Sequence, residues 1–344
     1  AEDDRRVFYV GLTRAKRQLY FSYALTNNDG REALPCQFIA EILSTLAFKE
    51  INPTPTQVEQ LYEKHFTPIP NAVLGQRELS YIREKVTSNP FSFTDYKTYQ
   101  VCPKQYLLKS VFKLPTEPTL PLVYGNAVHR ALELFFRAYR ATRLLPSKAD
   151  LLDYFRLAMS QQPPLEQKEA LVTQGADILS HYYEAKAATW QIPIGVEYSF
   201  RPHHVMLEDI WLTGKFDRLD ALDPKTRAVR VVDYKTVSRA KSRNEIEGTT
   251  KNSDGMLKTQ LVFYALLTSL DRFFPYQAKE FMLSFVDDKA SFKEEAFVIT
   301  AQETKKLAED IKKMRSEILG LTTFSHTRDT FDQGCEICAA FGRL

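Results

Sequence analysis

Two carboxylates and an amine stand at a spacing that could do chemistry. Residues 212–236 contain Gly214-Lys215-Phe216-Asp217-Arg218-Leu219-Asp220, then Val231-Val232-Asp233-Tyr234-Lys235-Thr236. On a strand, residues two apart share a face. Asp233 and Lys235 therefore project together, while Val232 and Tyr234 face the other way. If the two runs form a hairpin, Asp217 lies on the neighbouring strand near Asp233. Carboxylates this close repel, and a hard divalent cation such as Mg²⁺ or Mn²⁺ resolves the repulsion by taking their oxygens as ligands. A lysine beside such an ion can orient a water, assist its deprotonation or stabilise charge developing on a phosphate. Phosphodiester hydrolysis needs this chemistry. The plain alternative is a surface hairpin with an Asp–Lys ion pair, since Asp-x-Lys is common on strands.

Two further features bear on the choice. His129, in Gly125-Asn126-Ala127-Val128-His129, sits in a helical pattern and could add an imidazole to a metal site, or be an ordinary helix histidine. Gln260 and Tyr264 are four residues apart, hence on one helical face. That pair could be surface decoration, or could touch a nucleic-acid backbone or the charged residues.

Positioning these side chains requires a sheet with helices against it. Strands are expected at 196–202, 210–222, 228–237, 279–286 and 293–299. Helices are expected at 126–143, about 150–160, 166–188, 256–270 and 301–318, with another after Ser92-Phe93-Thr94. Residues 239–254 read as a polar loop. This order predicts an α/β domain with a mixed central sheet flanked by helices. Near the start, Val7-Phe8-Tyr9-Val10 and Gln18-Leu19-Tyr20-Phe21-Ser22-Tyr23 have strand-like content, and Phe38, Ile39, Ile42 and Leu43 have helical spacing. Residues 48–88 carry Pro53, Pro55, Pro68 and Pro70 and read as a linker with short helical pieces.

Composition sets outer bounds. The chain has 344 residues, with 44% hydrophobic and 26% charged residues, as in ordinary globular proteins. Four cysteines argue against a disulfide scaffold. No apolar run reaches the roughly 18 residues of a membrane span, so no membrane partner and a cytoplasmic location are expected. The net charge of +3, from 46 basic and 43 acidic side chains, neither signals nor excludes nucleic acid. The start at Ala1 suggests a fragment of a longer protein.

Together these residues resemble the RecB-like branch of the PD-(D/E)xK nucleases, in order over most of residues 90–340. Ser92-Phe93-Thr94 through Cys102-Pro103-Lys104-Gln105-Tyr106 looks like the opening helix of that branch. Gly125 to Glu133 looks like its Gly-x-x-x-His helix, and Glu197 lies where an acidic residue is frequent. The resemblance implies a restriction-endonuclease-like core over 89–344. It implies metal binding by His129, Asp217 and Asp233, with an oxygen from the Tyr234 neighbourhood. Lys235 would be the catalytic lysine, supported by Gln260 and Tyr264.

A second resemblance covers the first residues. Asp4-Arg5-Arg6-Val7-Phe8-Tyr9-Val10-Gly11-Leu12-Thr13-Arg14-Ala15-Lys16 looks like the last motif of UvrD/Rep-type superfamily 1 helicases, and Leu34-Pro35-Cys36-Gln37-Phe38-Ile39 like the segment that follows it. It implies that 1–47 is the end of a RecA-like helicase domain, with Arg14 matching the arginine that contacts the ATP γ-phosphate. No Gly-x-x-x-x-Gly-Lys-Ser/Thr loop occurs in the chain, so ATP hydrolysis is expected only of a longer parent. A helicase followed by such a nuclease is the layout of AddA/AddB/RecB-type helicase–nucleases of DNA repair and recombination. The rest of the motor and a second helicase–nuclease subunit are then expected partners.

Some AddB-type relatives bind an iron–sulfur cluster through one early and three late cysteines. Cys102, Cys335 and Cys338 match three of these places, and the fourth falls on Leu344. A cluster or a zinc ion would need another ligand, such as His326. Otherwise the thiols pin the C-terminus beside the residue 95–110 region.

Basic residues suggest where DNA would lie. Lys97, Lys104 and Lys109 cluster in sequence, and Arg239, Lys241 and Arg243, then Lys251 and Lys258, follow Lys235. The expected substrate is DNA, with single-stranded ends delivered by a motor. The expected activity is Mg²⁺- or Mn²⁺-dependent exonucleolytic cleavage. The rival is a catalytically inactive nuclease-fold module that binds DNA or a partner subunit.

Overall fold

The computed structural model describes residues 2–16, 19, 21, 36–43, 54, 56–57, 75–114, 118–163, 167–237, 239–251, 253–286 and 291–320. Its contacts divide the chain into two units, Ala1–Thr67 and Pro68–Leu344.

In the first unit, α1 is Glu2–Thr13 and α2 is Gln37–Leu43. The strand expected at Val7-Phe8-Tyr9-Val10 is thus helix. Arg5 and Phe8, three apart, both turn toward α2. Arg5 donates to Glu41 at 2.9 and 3.2 Å, and the Phe8 and Phe38 rings lie 5.6 Å apart. Val7 and Tyr9 are left exposed. The helical period places Arg5 and Phe8 on the side of α2, and this packing overrides β propensity. Most of the second strand-like run lies outside the described residues.

The second unit begins with α3 (Gln76–Ser88), inside the stretch read as a linker. Its Leu79, Ile82 and Val86 are buried, and Ile82 and Val86 join the core. Then come α4 (Phe93–Val101), α5 (Pro103–Tyr106, continued by a π turn, Leu107–Val111), α6 (Leu120–Thr142), α7 (Lys148–Ser160) and α8 (Lys168–Lys186). Serines start two of them. Ser92 and Asp95, and Ser147 and Asp150, form reciprocal capping boxes that satisfy otherwise unpaired N–H groups.

The strands are β1 (Gly195–Ser199), β2 (Val205–Leu207), β3 (Ile210–Leu212), β4 (Lys215–Asp223) and β5 (Ala228–Lys235). After α9 (Arg243–Glu247) and α10 (Met256–Leu270) come β6 (Gln277–Phe285), β7 (Glu294–Phe297) and α11 (Ala301–Gly320). The central sheet has the order β1-β4-β5-β6-β7, while β2 and β3 pair separately. The 210–222 run is therefore two strands in two sheets. Gly214 marks the break: a Cβ there would come within 2.6 Å of Leu267.

The β5–β6 pair is parallel and its neighbours are antiparallel. Parallel strands need a crossover, and α10 lies within it. Val229, Val231, Phe281, Leu283 and Phe285 join one core with residues of α3, α10 and α11. The alternate residues Val232, Tyr234 and Met282 join a second core with α6, α7 and α8. The architecture is the mixed sheet flanked by helices that the sequence predicts.

Candidate active site

β5 carries Asp233 and Lys235 to its C-terminal end, on the face that α10 covers. The Lys235 ammonium lies 2.5 Å from Asp233 Oδ2. It also donates to Gln260 Oε1 at 2.7 Å. Lysine has donors only, so Gln260 turns its carbonyl to it and leaves its amide nitrogen for others. That nitrogen donates to Asp233 Oδ1 at 3.1 Å and to the Tyr264 hydroxyl at 2.8 Å. Tyr264 in turn donates to Asp233 Oδ1 at 2.8 Å. Four side chains thus close a network between one strand end and one helix face.

Asp217 reaches the same end from β4. The ladder pairs Arg218 with Val232, so Asp217 and Asp233 come next along the two strands. Asp217 Oδ2 accepts the Tyr234 backbone N–H at 2.8 Å, and Oδ1 lies 3.3 Å from His129 Nδ1. Gly125 brings α6 close enough for this contact: a Cβ on Gly125 would lie 3.1 Å from Thr236 Oγ1, just past Lys235. The Gly-x-x-x-His spacing therefore places glycine against the end of β5 and histidine, one turn on, against Asp217.

The charges are unequal. Burial raises the Asp233 pKa and the Asp217 charge adds to the effect, against the pull of Lys235; the net direction is upward. Burial also opposes ionisation of Asp217, but His129 and the Tyr234 N–H outweigh it and hold its pKa below the ordinary value. Burial would lower the His129 pKa, yet Asp217 and Asp233 carry it above the usual imidazole value.

A family profile for the PD-(D/E)XK nuclease superfamily matches residues 90–341. The chain belongs to the PD-(D/E)XK nuclease superfamily. No curated protein matches the chain. A crystal structure of a "putative exonuclease" from Eubacterium rectale is similar at 12% identity, with a TM-score of 0.45, covering 79% of this chain and 99% of that one.

Among the described residues no three His, Cys, Asp or Glu side chains form a ready-made metal-binding group. Asp217 and His129 face each other, and Asp233 faces Lys235, Gln260 and Tyr264. The donors nonetheless suit a hard divalent ion: two carboxylates, an imidazole and the nearby Tyr234 carbonyl. Asp233 Oδ2 is buried, and among the described residues it meets only the Lys235 ammonium. That is the state expected of an oxygen built to meet a cation.

Around this nuclease site lie Glu197, noted in the sequence as an acidic position, and Glu133, Arg218 and Asp220, for which the sequence suggests no role. Glu197, on β1, pairs with Lys215, and burial raises its pKa, helped by the charges of Asp217 and Glu133. Glu133 is one turn beyond His129, bridged to Arg130 at 2.7 Å and to Arg137 at 3.0 Å. Arg218 and Asp220 form a buried pair behind Tyr234. Two opposite charges two apart on a strand signal that they can pair, but not which face of the sheet they take.

Arg239, Arg243 and Lys258, which follow Lys235, have their charges engaged within the chain. Arg239 binds Glu245, at 2.5 Å. Arg243 lies 3.5 Å from Glu247 and 3.4 Å from Glu295, and over the Phe297 ring. The Lys241 carbonyl accepts from Lys293, and Lys258 pairs with Glu303. The loop expected at 239–254 also contains α9, started by a Ser242–Glu245 capping box. Lys104 is buried, not a surface charge. Cys102 is buried at the end of α4, while Cys335, Cys338 and His326 lie outside the described residues. Arg14 is exposed in the turn ending α1. No helix among the described residues is long and apolar enough to cross a membrane.

Proposed function

We propose that this nuclease is a Mg²⁺- or Mn²⁺-dependent deoxyribonuclease that trims single-stranded DNA ends. The observation that carries the reading is the closed Lys235–Gln260–Tyr264–Asp233 network set beside Asp217 and His129. An inactive scaffold has no chemical need for all of these groups, held in one orientation.

His129, Asp217, Asp233 and the Tyr234 carbonyl would hold the cation, which supplies positive charge against the phosphoryl oxygens. Gln260 fixes the Lys235 ammonium through its carbonyl. The N–H groups of Lys235 can then orient a water toward phosphorus and stabilise charge developing on the phosphate. Tyr264 and the Gln260 amide hold Asp233 Oδ1, which leaves the buried Oδ2 to the Lys235 ammonium and the cation. Nothing in the set reads base sequence, so affinity comes from phosphate contacts and falls with salt. Arg239 and Arg243 would reach DNA after exchanging their carboxylate partners for phosphates, with Lys241 between them in the chain.

The resemblance of residues 4–16 to a helicase motif supports a longer, cytoplasmic helicase–nuclease of DNA repair, in which Arg14 would serve ATP hydrolysis. Asp217→Ala, Asp233→Ala and Lys235→Ala should each abolish cleavage of end-labelled single-stranded DNA in Mg²⁺ while leaving the circular dichroism spectrum unchanged. Undiminished cutting by the Lys235 variant would sink the assignment. Equal cutting of closed circular single strands would replace exonuclease with endonuclease.

A further inference from the structure

Behind the Asp233-Tyr234-Lys235 strand, on the sheet face turned away from α10, lies a charged pair that the proposed reaction does not use. Arg218 and Asp220 are both buried, at 4% and 3% exposed. Arg218 Nε donates to the two Asp220 oxygens at 2.9 and 3.1 Å, and Nη2 donates at 2.8 Å. The remaining arm, Nη1, donates to the Tyr234 hydroxyl at 2.7 Å. The guanidinium lies 4.5 Å from the Phe136 ring centre and 5.6 Å from that of Tyr234. The Tyr234 ring stacks on Phe136 and meets the His129 ring edge-on, with centres 6.1 Å apart.

Stability alone does not account for this pair. Desolvating both charges offsets much of their attraction, and buried ion pairs replaced by well-packed apolar residues often leave a protein as stable or more so. What the pair adds is a fixed donor at the far end of Tyr234. That residue sits between Asp233 and Lys235, and its own N–H holds the Asp217 carboxylate. One residue therefore borders Asp233 and Lys235 through its peptide bonds, Asp217 through its amide hydrogen and His129 through its ring. A phenol held at its hydroxyl, its face and its edge fixes its own Cα. Only a guanidinium supplies three bonds to a carboxylate and a fourth at an angle, which the ammonium of lysine cannot do.

We infer that Arg218 is a positioning residue of the active site, acting through the Tyr234 hydroxyl to hold Asp217, Asp233 and Lys235 in register. It touches neither DNA nor cation. Its effect on cation affinity rests on the proposed metal-dependent reading, while its effect on the strand does not.

The test uses the full chain and two variants, Tyr234→Phe and the double change Arg218→Met with Asp220→Leu, which leaves no orphan charge. Two quantities are measured: amide hydrogen exchange at position 234 in metal-free protein, and Mn²⁺ affinity by calorimetry. Both variants should exchange that amide about tenfold faster or more and bind Mn²⁺ about 10–100-fold more weakly, as outer-sphere changes do. Thermal stability of the double variant should stay near that of the parent. A purely structural pair would leave amide protection and Mn²⁺ affinity unchanged in the apolar double variant, and that result overturns the inference. If the double variant fails to fold, Tyr234→Phe decides by the same readouts. If the unmodified chain binds no Mn²⁺, the metal reading fails, and amide exchange still decides the role of Arg218.

Discussion

His129 is asked to do two things that compete. In the metal-free protein, burial disfavours its charge, but Asp217 and Asp233 more than compensate and raise its pKa. The sign follows by linkage. The protonated pair with Asp217 stabilises the fold fully below the unfolded histidine pKa of about 6.5. That contribution is lost as pH rises through the higher folded value. A cation needs the neutral imidazole, so proton and metal exclude each other there. Mn²⁺ affinity should therefore rise with pH from about 6, by up to roughly tenfold per unit for one displaced proton, and level off once His129 is neutral. Calorimetry across pH 6–9 measures this. His129→Asn should bind more weakly with a flatter profile. A steep profile retained by the asparagine variant would assign the displaced proton to another group.

The elements explain both what could be read in the sequence and what could not. Asp233 and Lys235 were legible because strand period alone puts them on one face, and Gln260 and Tyr264 because one helical turn separates them. Arg218 was not. Strict alternation puts Phe216 and Arg218 together, yet Phe216 packs in the core beneath α10, and Arg218 lies against Phe136 on α6. The change of face falls at Asp217, where the ladder ends and the carboxylate takes the Tyr234 N–H. The local content of α1 favours strand, whereas its contacts with α2 suit the helical period. Two glycines test how far element placement governs chemistry. A Cβ at Gly175 on α8 would lie 2.3 Å from the buried Phe155 ring. Gly175→Ala should therefore destabilise by about 1–3 kcal/mol with turnover per folded molecule unchanged. Gly125 faces only Thr236, so alanine should be tolerated there, whereas Gly125→Leu should push α6 from the end of β5. Moving His129 by about 1 Å would cut turnover roughly 100-fold. Denaturation midpoints and single-turnover rates separate the two cases. Equal turnover loss at both glycines would contradict the assigned roles.

At the scale of the whole molecule, the nuclease unit needs residues that its superfamily match, starting at residue 90, does not include. Ile82 is 2% exposed, and Leu79 and Val86 are each 6% exposed. Arg315 on α11 donates to the Val86 carbonyl at 2.5 Å. Burying an aliphatic side chain of this size is worth about 1.5–3 kcal/mol, so losing α3 removes roughly 5 kcal/mol or more. That is comparable with the whole stability of many domains, about 5–15 kcal/mol. It would also leave the Arg315 guanidinium partly buried without its acceptor, a further penalty. A chain starting at Pro68 should therefore unfold cooperatively in urea and cleave DNA. One starting at Asn89 should show a much lower midpoint, or no cooperative transition. Deletion of the first 67 residues should leave the metal and pH dependence of cleavage unchanged, because the described site residues all lie between 129 and 264. Equal urea midpoints for the two shortened chains would show that α3 is a dispensable connector after all.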